Sequence, residues 1–461
     1  MTAERTVVII GGGISGLATA YYLSKKGHRT TVLEQASSAG GTMQTVKRDG
    51  WLVETGPNSA LETTPLFKEL FHELDLERSL IYAAPSASKR YIMRNGNLHV
   101  LPMSPLSFLK TRLWSTRGKM RLLKEPFIAR ARGEETVGEF VERRLGREIL
   151  DYAIDPFVAG VFAGDPSLLS VRAAFPKLHS LEERYGGLIK GTIAGMRERR
   201  RRAEKAKDRA KMFSFVDGMQ TLPLAISSRL GDSFHADTHV LRITRREDKK
   251  EIRGFRISAR EGGRLLELVA DALVLAVPAY AADVLVRDLS PAVAEALGSI
   301  SYPPVAEVFL GYPASAVGRP LDGFGFLIPA KEGRKILGTI WSSSLFPNRA
   351  PEGHVALTTF IGGSRQPSFG LLQESELIRI VTEELREILK ITGEPTVAVA
   401  ARWEKAIPQY DIRHLSRMSL VDRLEKDVPG LHFCSNFRGG IAVGDCIMSA
   451  EKTAQRISQN V

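Results

Sequence analysis

Apolar positions fall into three patterns along the chain. The first is a short unbroken run between turn residues, which reads as a strand buried on both faces. Residues 6–10 carry Val7, Val8, Ile9 and Ile10 in succession, residues 273–277 repeat the pattern, and residues 431–434 form a late third run. The second is alternation, the mark of a half-buried strand. It occurs at 252–259, with Ile252, Gly254, Arg256 and Ser258 on one side, and strands are also predicted at 212–216, 239–244 and 265–269. Residues 305–312, 325–329, 336–341 and 355–361 predict a further mixed sheet. The third is helical spacing. Residues 17–26 place Leu17, Ala20, Tyr21 and Leu23 on one face, with Gly27 as cap, and 30–34 follows as a strand. Residues 65–80 and 374–391 predict amphipathic helices, and 439–457 a glycine turn leading into a terminal helix.

Between 85 and 211 the pattern changes. Apart from 90–93 and 98–101 there is no convincing strand, and Pro102, Pro105, Pro126, Pro156 and Pro176 break a helical stretch. The chain has 64 Lys and Arg against 52 Asp and Glu, a net charge of +12 over 461 residues. This segment holds 27 basic and 14 acidic side chains, so the surplus is concentrated here. Residues 197–211 (RERRRRAEKAKDRAK) read as a charged helix or a mobile loop. Such a surplus calls for an anionic partner: a membrane surface, nucleic acid or an acidic ligand. Residues 101–114 (LPMSPLSFLKTRLW) mix apolar and basic residues as an interfacial element does, or else close a tunnel. The Arg run lacks interleaved aromatics, which argues against nucleic acid.

Length and a 43% hydrophobic share suit two or three globular domains. The best apolar stretch, 272–282, is interrupted by Pro278 and falls short of the ~20 residues that cross a bilayer. The first strand begins at Thr6, so no cleavable leader is expected. Two cysteines, Cys434 and Cys446, exclude a disulfide scaffold and point to a reducing compartment. They are not CxxC and the nine histidines form no ligand pattern, so no metal is expected.

The chemistry starts at Gly11-Gly12-Gly13-Ile14-Ser15-Gly16. Gly11, Gly13 and Gly16 fit GxGxxG between a strand and a helix, where the glycines allow a tight turn, approach to a pyrophosphate and close packing. Glu34 ends the second strand 18 residues past Gly16, placed to accept from both ribose hydroxyls, which disfavours a 2′-phosphate. The motif therefore predicts a dinucleotide. At the other end, residues 436–446 place a glycine turn before a second helix N-terminus, suited to electron density building on a flavin ring.

Here the chain resembles the FAD-dependent protoporphyrinogen oxidase family, within the amine oxidase and phytoene desaturase flavoproteins. GGGISGLATAYYL with Glu34 and the later glycine pair belong to the whole group. LVETGPNSAL (52–61), FVAGVFAGDPSLLSVRAAFPKL (157–178), GFGFLIP (323–329) and RWEKAIPQYDIRHL (402–415) are more specific. Thr42 stands where the wider group often has Arg, leaving the pyrophosphate more dependent on backbone N–H groups. The resemblance implies an α/β fold: a Rossmann-type FAD-binding domain (1–84, 212–290 and 401–461), a mixed-sheet substrate domain (291–400, borrowing strands near 45–60 and 88–101), and a helical, basic, membrane-associated domain (85–211).

It also implies that protoporphyrinogen IX loses six electrons in three rounds of flavin reduction, each reversed by O2 with release of H2O2. Coproporphyrinogen III is the alternative substrate. An amine oxidase or desaturase activity is weakened by Phe437-Arg438 in place of an aromatic pair, and a non-catalytic FAD-binding protein is a third reading. Carried over by motif, the flavin contacts are Gly11, Gly12, Gly13, Ile14, Ser15, Gly16, Glu34, Gln35, Gly41, Thr42, Gly56, Pro57, Asn58, Ser59, Trp403, Val443, Gly444 and Asp445, with the Val240 backbone on adenine. The propionate anchor falls on Arg90 and the cavity walls on Gly160, Gly325, Leu327, Ile340 and Phe360. Alternation turns Lys89 away from Arg90, and a single inward cation favours the two-propionate substrate. No catalytic side chain is expected, because flavin N5 takes the hydride and the protein orients. The same resemblance implies peripheral attachment to an anionic membrane on its cytoplasmic, inner face. Hand-off to a chelatase and a homodimer complete the expected partners.

Overall fold

The computed structural model describes residues 4–201, 210–248 and 251–459. The chain opens with strand β1 (Thr6–Ile10), helix α1 (Ile14–Lys25) and strand β2 (Arg29–Leu33), followed by the hairpin β3 (Thr45–Arg48) and β4 (Trp51–Glu54). Strands β5 (Lys89–Arg94) and β6 (Asn97–Val100) precede a helical stretch that includes α2 (Asp155–Phe162). Strand β7 (Ala272–Leu275) leads to β8 (Val305–Pro313), β9 (Gly323–Leu327), β10 (Ile336–Ile340) and β11 (His354–Gly362). Helix α3 (Glu374–Leu389), β12 (Val397–Trp403), β13 (Leu431–Phe433) and α4 (Val443–Gln459) follow.

Three distant segments build one parallel sheet, in the order Phe234–His235, β2, β1, β7, β13. Its central strands are buried on both sides, as their unbroken apolar runs require. Helices α1, α4 and Thr221–Leu230 cover one face. The antiparallel strands Thr238–Asp248, Glu251–Glu261 and Arg264–Ala270, with three further helices, cover the other.

The second large sheet has seven strands in the order β12, β8, β11, β10, β9, β5, β6, and is antiparallel except for β9 beside β5. Helix α3 packs Leu377, Val381 and Leu385 on one face, against Val308, Leu310 and Leu357. Strand β12 carries this sheet past residue 400, and β5 and β6 reach it from the 85–211 segment. The β3–β4 hairpin pairs with itself and meets the sheet through Trp51, packed on Phe309, Ala356 and Val397.

One predicted helix is shorter than its pattern. The span expected at 65–80 stops at Glu73, because Asp75 adopts a left-handed φ of 55° and residues 80–82 pair instead with Met212–Phe215. The basic run at 197–211 continues the helix Leu188–Arg201 at its start, and its residues 202–209 lie outside the described residues.

The helical stretch is organised by a buried cation. Arg144 is fully enclosed and donates to Glu182 Oε1 from Nε at 2.7 Å, to Glu125 Oε1 at 3.2 Å and to the Ile128 carbonyl at 3.0 Å. Glu125 in turn accepts from the backbone N–H groups of Leu188 and Ile189. Four chain segments meet at one charge cluster. Glu182 also pairs with Arg143 at 2.9 Å, but removing Arg144 leaves buried Glu125 without a charged partner among the described residues, which costs about 3–5 kcal/mol. Arg144→Leu is therefore expected to lower the thermal midpoint by several degrees or more in a calorimetric melt, with the flavin-binding sheet unfolding separately if the two regions are uncoupled.

Candidate active site

The glycine-rich turn is shaped by contact. A Cβ at Gly16 would lie 1.9 Å from the Gly11 carbonyl oxygen, and one at Gly11 would lie 2.7 Å from the Ala276 oxygen. At Gly13 it would meet nothing within 4 Å. The turn is jammed against its own scaffold on one side and open on the other. Gly13 caps α1 without a side-chain hydrogen bond, leaving first-turn N–H groups to an anion. Glu34, buried at the end of β2, accepts from Gly12 N at 2.5 Å and from Ala36 N at 2.8 Å. Thr238 N donates to the Glu34 carbonyl, which brings the strand carrying Val240 alongside. Gln35 is exposed.

The next loops close on the same turn. Gly40 N donates to the Gly12 carbonyl, and a Cβ on Gly41 would come within 3.2 Å of Gly13 Cα. Gly56 packs so closely that its Cβ would sit 1.9 Å from the Thr42 oxygen. The first turn of α4 arrives from the far end of the chain, where Gly444 abuts Thr63. Tyr410 OH donates to the Asn436 carbonyl at 2.5 Å and accepts from Gly440 N at 3.2 Å, holding the turn ahead of Val443. Asn436 Oδ1 is buried with no partner among the described residues, an expensive state unless a ligand donor meets it. Two helix N-termini, a ribose carboxylate, close-packed glycines and an orphaned acceptor fit a flavin adenine dinucleotide. Tyr410 and Asn436 lie in or beside quoted motifs, yet no role had been expected of them.

Loop 55–59 ties this trough to the seven-stranded sheet. Trp403 Nε1 donates to the Thr55 carbonyl at 2.6 Å, and Asn58 Nδ2 donates to Glu307 Oε1 at 2.5 Å. On that face, residues opposite one another across the strands form two rows. Arg90, Gly325 and Ile340 stand in one. Leu327, Gly338, Phe360, Glu307 and Ala401 stand in the next. All five expected sheet positions thus share a face, and α2 lies over it, since a Cβ on Gly160 would fall 2.6 Å from Leu327 Cδ2. Phe360 packs toward Ala159 and Ala163, the latter just beyond the α2 C-terminus.

Arg90 is exposed, makes no ion pair among the described residues, and rests its guanidinium 5.5 Å from the Phe324 ring centre. Lys89 bonds Asp322 at 2.5 Å, away from Arg90. Sequence reasoning missed Gly338, which stands between Leu327 and Phe360 where a Cβ would lie 2.5 Å from the Phe326 oxygen and 3.0 Å from Leu327 Cδ2. It also missed Glu307, an acid inside the otherwise apolar VAEVFLGY run.

A family model described as flavin-containing amine oxidoreductase matches residues 14–458. The chain belongs to this family. It is an FAD-dependent oxidoreductase with the mixed α/β fold of the flavin amine oxidases. It is 35% identical to the mitochondrial protoporphyrinogen oxidase of Nicotiana tabacum, over 99% of this chain and 95% of that one. It is 30% identical to the coproporphyrinogen III oxidase of Bacillus subtilis (strain 168), over 96% of each. A solved structure from Exiguobacterium sp. 255-15 matches with a TM-score of 0.81 at 23% identity, covering all of both chains, which shows the shared fold.

The glycine contacts give a direct test. Gly16→Ala forces a methyl into the Gly11 carbonyl, so the variant is expected to purify with little or no bound flavin, read as loss of the visible flavin absorbance per mole of protein.

Proposed function

We propose that this enzyme oxidises protoporphyrinogen IX to protoporphyrin IX, with O2 as the acceptor and H2O2 released. The observation that carries the reading is the sheet face beside the flavin loop: apolar rows ending in one unpaired cation. A porphyrinogen is a flat apolar macrocycle with carboxylates on its edge. It needs greasy walls and a charge-assisted partner for a propionate, because a buried carboxylate without one is costly. Leu327, Ile340 and Phe360 supply walls, Gly325 and Gly338 let the strands between them pack closely, and Arg90 supplies the anchor. Strands lie about 4.8 Å apart and rows about 7 Å apart, so Arg90 and Phe360, three strands and one row apart, span about 16 Å, the scale of a tetrapyrrole with its side chains.

The residues of the trough hold the cofactor: Gly11 to Gly16 at the pyrophosphate, Glu34 at the ribose, and the 56–59 loop with Trp403 and Val443 to Asp445 at the ring. The bound flavin supplies a two-electron acceptor that O2 can reoxidise, used three times per substrate. The sheet face keeps water from the reacting carbon and fixes which meso carbon faces the ring, which is orientation catalysis.

The relatives named for coproporphyrinogen III support a second reading, in which the substrate carries four propionates. Lys89 is held by Asp322, so among the described residues the face offers one free cation, which favours two propionates. The helical stretch exposes Met103, Leu106, Leu109, Met120, Leu123 and Phe127, the last 87% exposed, among Lys110, Arg112 and Arg117. Trp114 and Leu113 turn inward instead. No helix among the described residues is long and apolar enough to cross a membrane. We assign this exposed set to shallow seating in an anionic leaflet, on the cytoplasmic side, from which porphyrin passes to a chelatase. Flotation with anionic vesicles that survives Phe127→Ser and Leu123→Ser together would overturn that seating.

Purified holoenzyme assayed on the two porphyrinogens side by side is expected to form fluorescent porphyrin and H2O2 faster from protoporphyrinogen. Neither product from either substrate would end the reading. Arg90→Ala is expected to raise KM about 10-fold or more with a smaller change in kcat, since charge-assisted bonds to a carboxylate contribute about 1.5–3 kcal/mol.

A further inference from the structure

We propose that Glu307 is the general base of the reaction, taking the pyrrole N–H proton that must leave as each hydride leaves the adjoining meso carbon. The inference rests on the porphyrinogen reading above. It starts from an oddity of sequence. Strand β8 is buried at eight successive positions, Val305 to Tyr312, and one of them is an acid. A buried carboxylate in mid-strand is costly and serves no register purpose that a Val would not serve better.

Its position is specific. Glu307 stands directly opposite Phe360 on β11 and beside Ala401 on β12, in the row that continues to Gly338 and Leu327. Farther along β8 on the same face, Phe309 is sealed by Trp51, and Val305 is packed against Ala159 and Ala163. Glu307 lies between these two seals, where the face meets the flavin loop. The one hydrogen bond to its carboxyl group among the described residues comes from Asn58 Nδ2. Asn58 also donates to the Gly56 carbonyl at 3.0 Å, so the loop and the acid are set by the same amide.

Each turnover removes one hydride and one proton from the substrate. The meso C–H bond breaks with its electron pair going to the bound flavin. The N–H bond breaks with its electron pair staying on the substrate to close the new double bond, and the bare proton goes to the Glu307 carboxylate. Over three rounds three N–H protons leave, and one proton shifts from the fourth meso carbon back to a ring nitrogen, which gives the four meso C–H and two N–H groups of the porphyrin. Dioxygen then takes up the hydride equivalent together with one proton to leave as H2O2, so the proton stored on Glu307 balances the cycle and frees the base for the next round.

The surroundings suit a base. Burial lifts the Glu307 carboxyl well above the usual carboxylate range, the Asn58 bond opposes that shift and the charge of Glu54 adds to it. Glu54, on β4, is the charged group facing it and is itself bound by Arg349 at 3.1 Å. The opposed residues on β11 and β12, Phe360 and Ala401, do not titrate. A base whose pKa approaches the working pH is the effective one.

Glu307→Gln keeps the acceptor for Asn58 and removes the base. With protoporphyrinogen under anaerobic conditions, flavin bleaching is expected to slow about 100-fold or more, with flavin content, melting temperature and KM near those of the parent. The parent rate is expected to rise with pH as Glu307 ionises, and E307Q to lose that limb. Infrared spectra of the unreacted holoenzyme should show a carboxylic acid C=O band that fades over the same pH range and is absent in E307Q. Glu307→Asp, which keeps the carboxyl on a shorter arm, should retain the pH limb at a reduced rate and carries the test if E307Q does not fold. Bleaching of E307Q at the parent rate with an unchanged pH profile overturns the proposal alone. A parent holoenzyme that porphyrinogen does not bleach overturns the substrate reading and this proposal together.

Discussion

The structure depends on backbone that carries no side chain. Gly16 lies against the Gly11 carbonyl, Gly11 against Ala276, and Gly56 against Thr42, at separations no Cβ tolerates. These contacts draw together segments about 260 residues apart in sequence, since β1 pairs with both β2 and β7. Once β1, β7 and β13 are side by side, the intervening chain has to leave the parallel sheet and return to its edge. The seven-stranded sheet is built on those excursions, and its open face meets the cofactor trough for that reason. The scaffold and the cofactor site share one set of contacts, so a methyl group at one glycine touches both.

The two units are joined through a short loop and not through a broad interface of charges. Trp403 and Glu307, on neighbouring strands of the seven-stranded sheet, are bonded to Thr55 and Asn58, one and two residues from Gly56. A displacement of the sheet is thereby transmitted to the ring end of the flavin site. The Glu54–Arg349 pair beneath the loop is buried on both sides and further bonded by Met219 N and Ser214, so the loop rests on a satisfied polar base. An unpaired cation and a buried acid then stand on one apolar surface: Arg90 where a carboxylate edge can reach it, Glu307 near the loop. Charge is placed where the substrate has charge or loses a proton, and is absent between.

Much of this was legible before any coordinates. The parallel sheet announces itself because its strands are short, apolar and adjacent to glycine motifs whose function is local. The wall positions came from family resemblance, and the pairing registers explain why they cohere: Arg90, Gly325 and Ile340 are cross-strand neighbours, although they are scattered over 250 residues of sequence. Other features needed the fold. The helix after Pro65 ends early because Asp75 takes a left-handed turn and residues 80–82 find strand partners, a tertiary preference that local periodicity does not contain. Trp114 reads as interfacial beside Lys110 and Arg112, yet it packs on Phe108 at 5.0 Å. Glu307 left a visible signal, one acid in a fully apolar strand, but its meaning emerges only when Phe360 and Asn58 are seen beside it.

The most direct measurement is a crystal structure of the flavin-loaded enzyme with a bound porphyrin product or a non-oxidisable analogue. The ring should lie beside α2 on the face bearing Arg90, Gly325 and Ile340, with a propionate on Arg90 and a pyrrole nitrogen within hydrogen-bonding reach of Glu307. A macrocycle bound on another surface, or seated there with both Arg90 and Glu307 out of contact, would contradict the account.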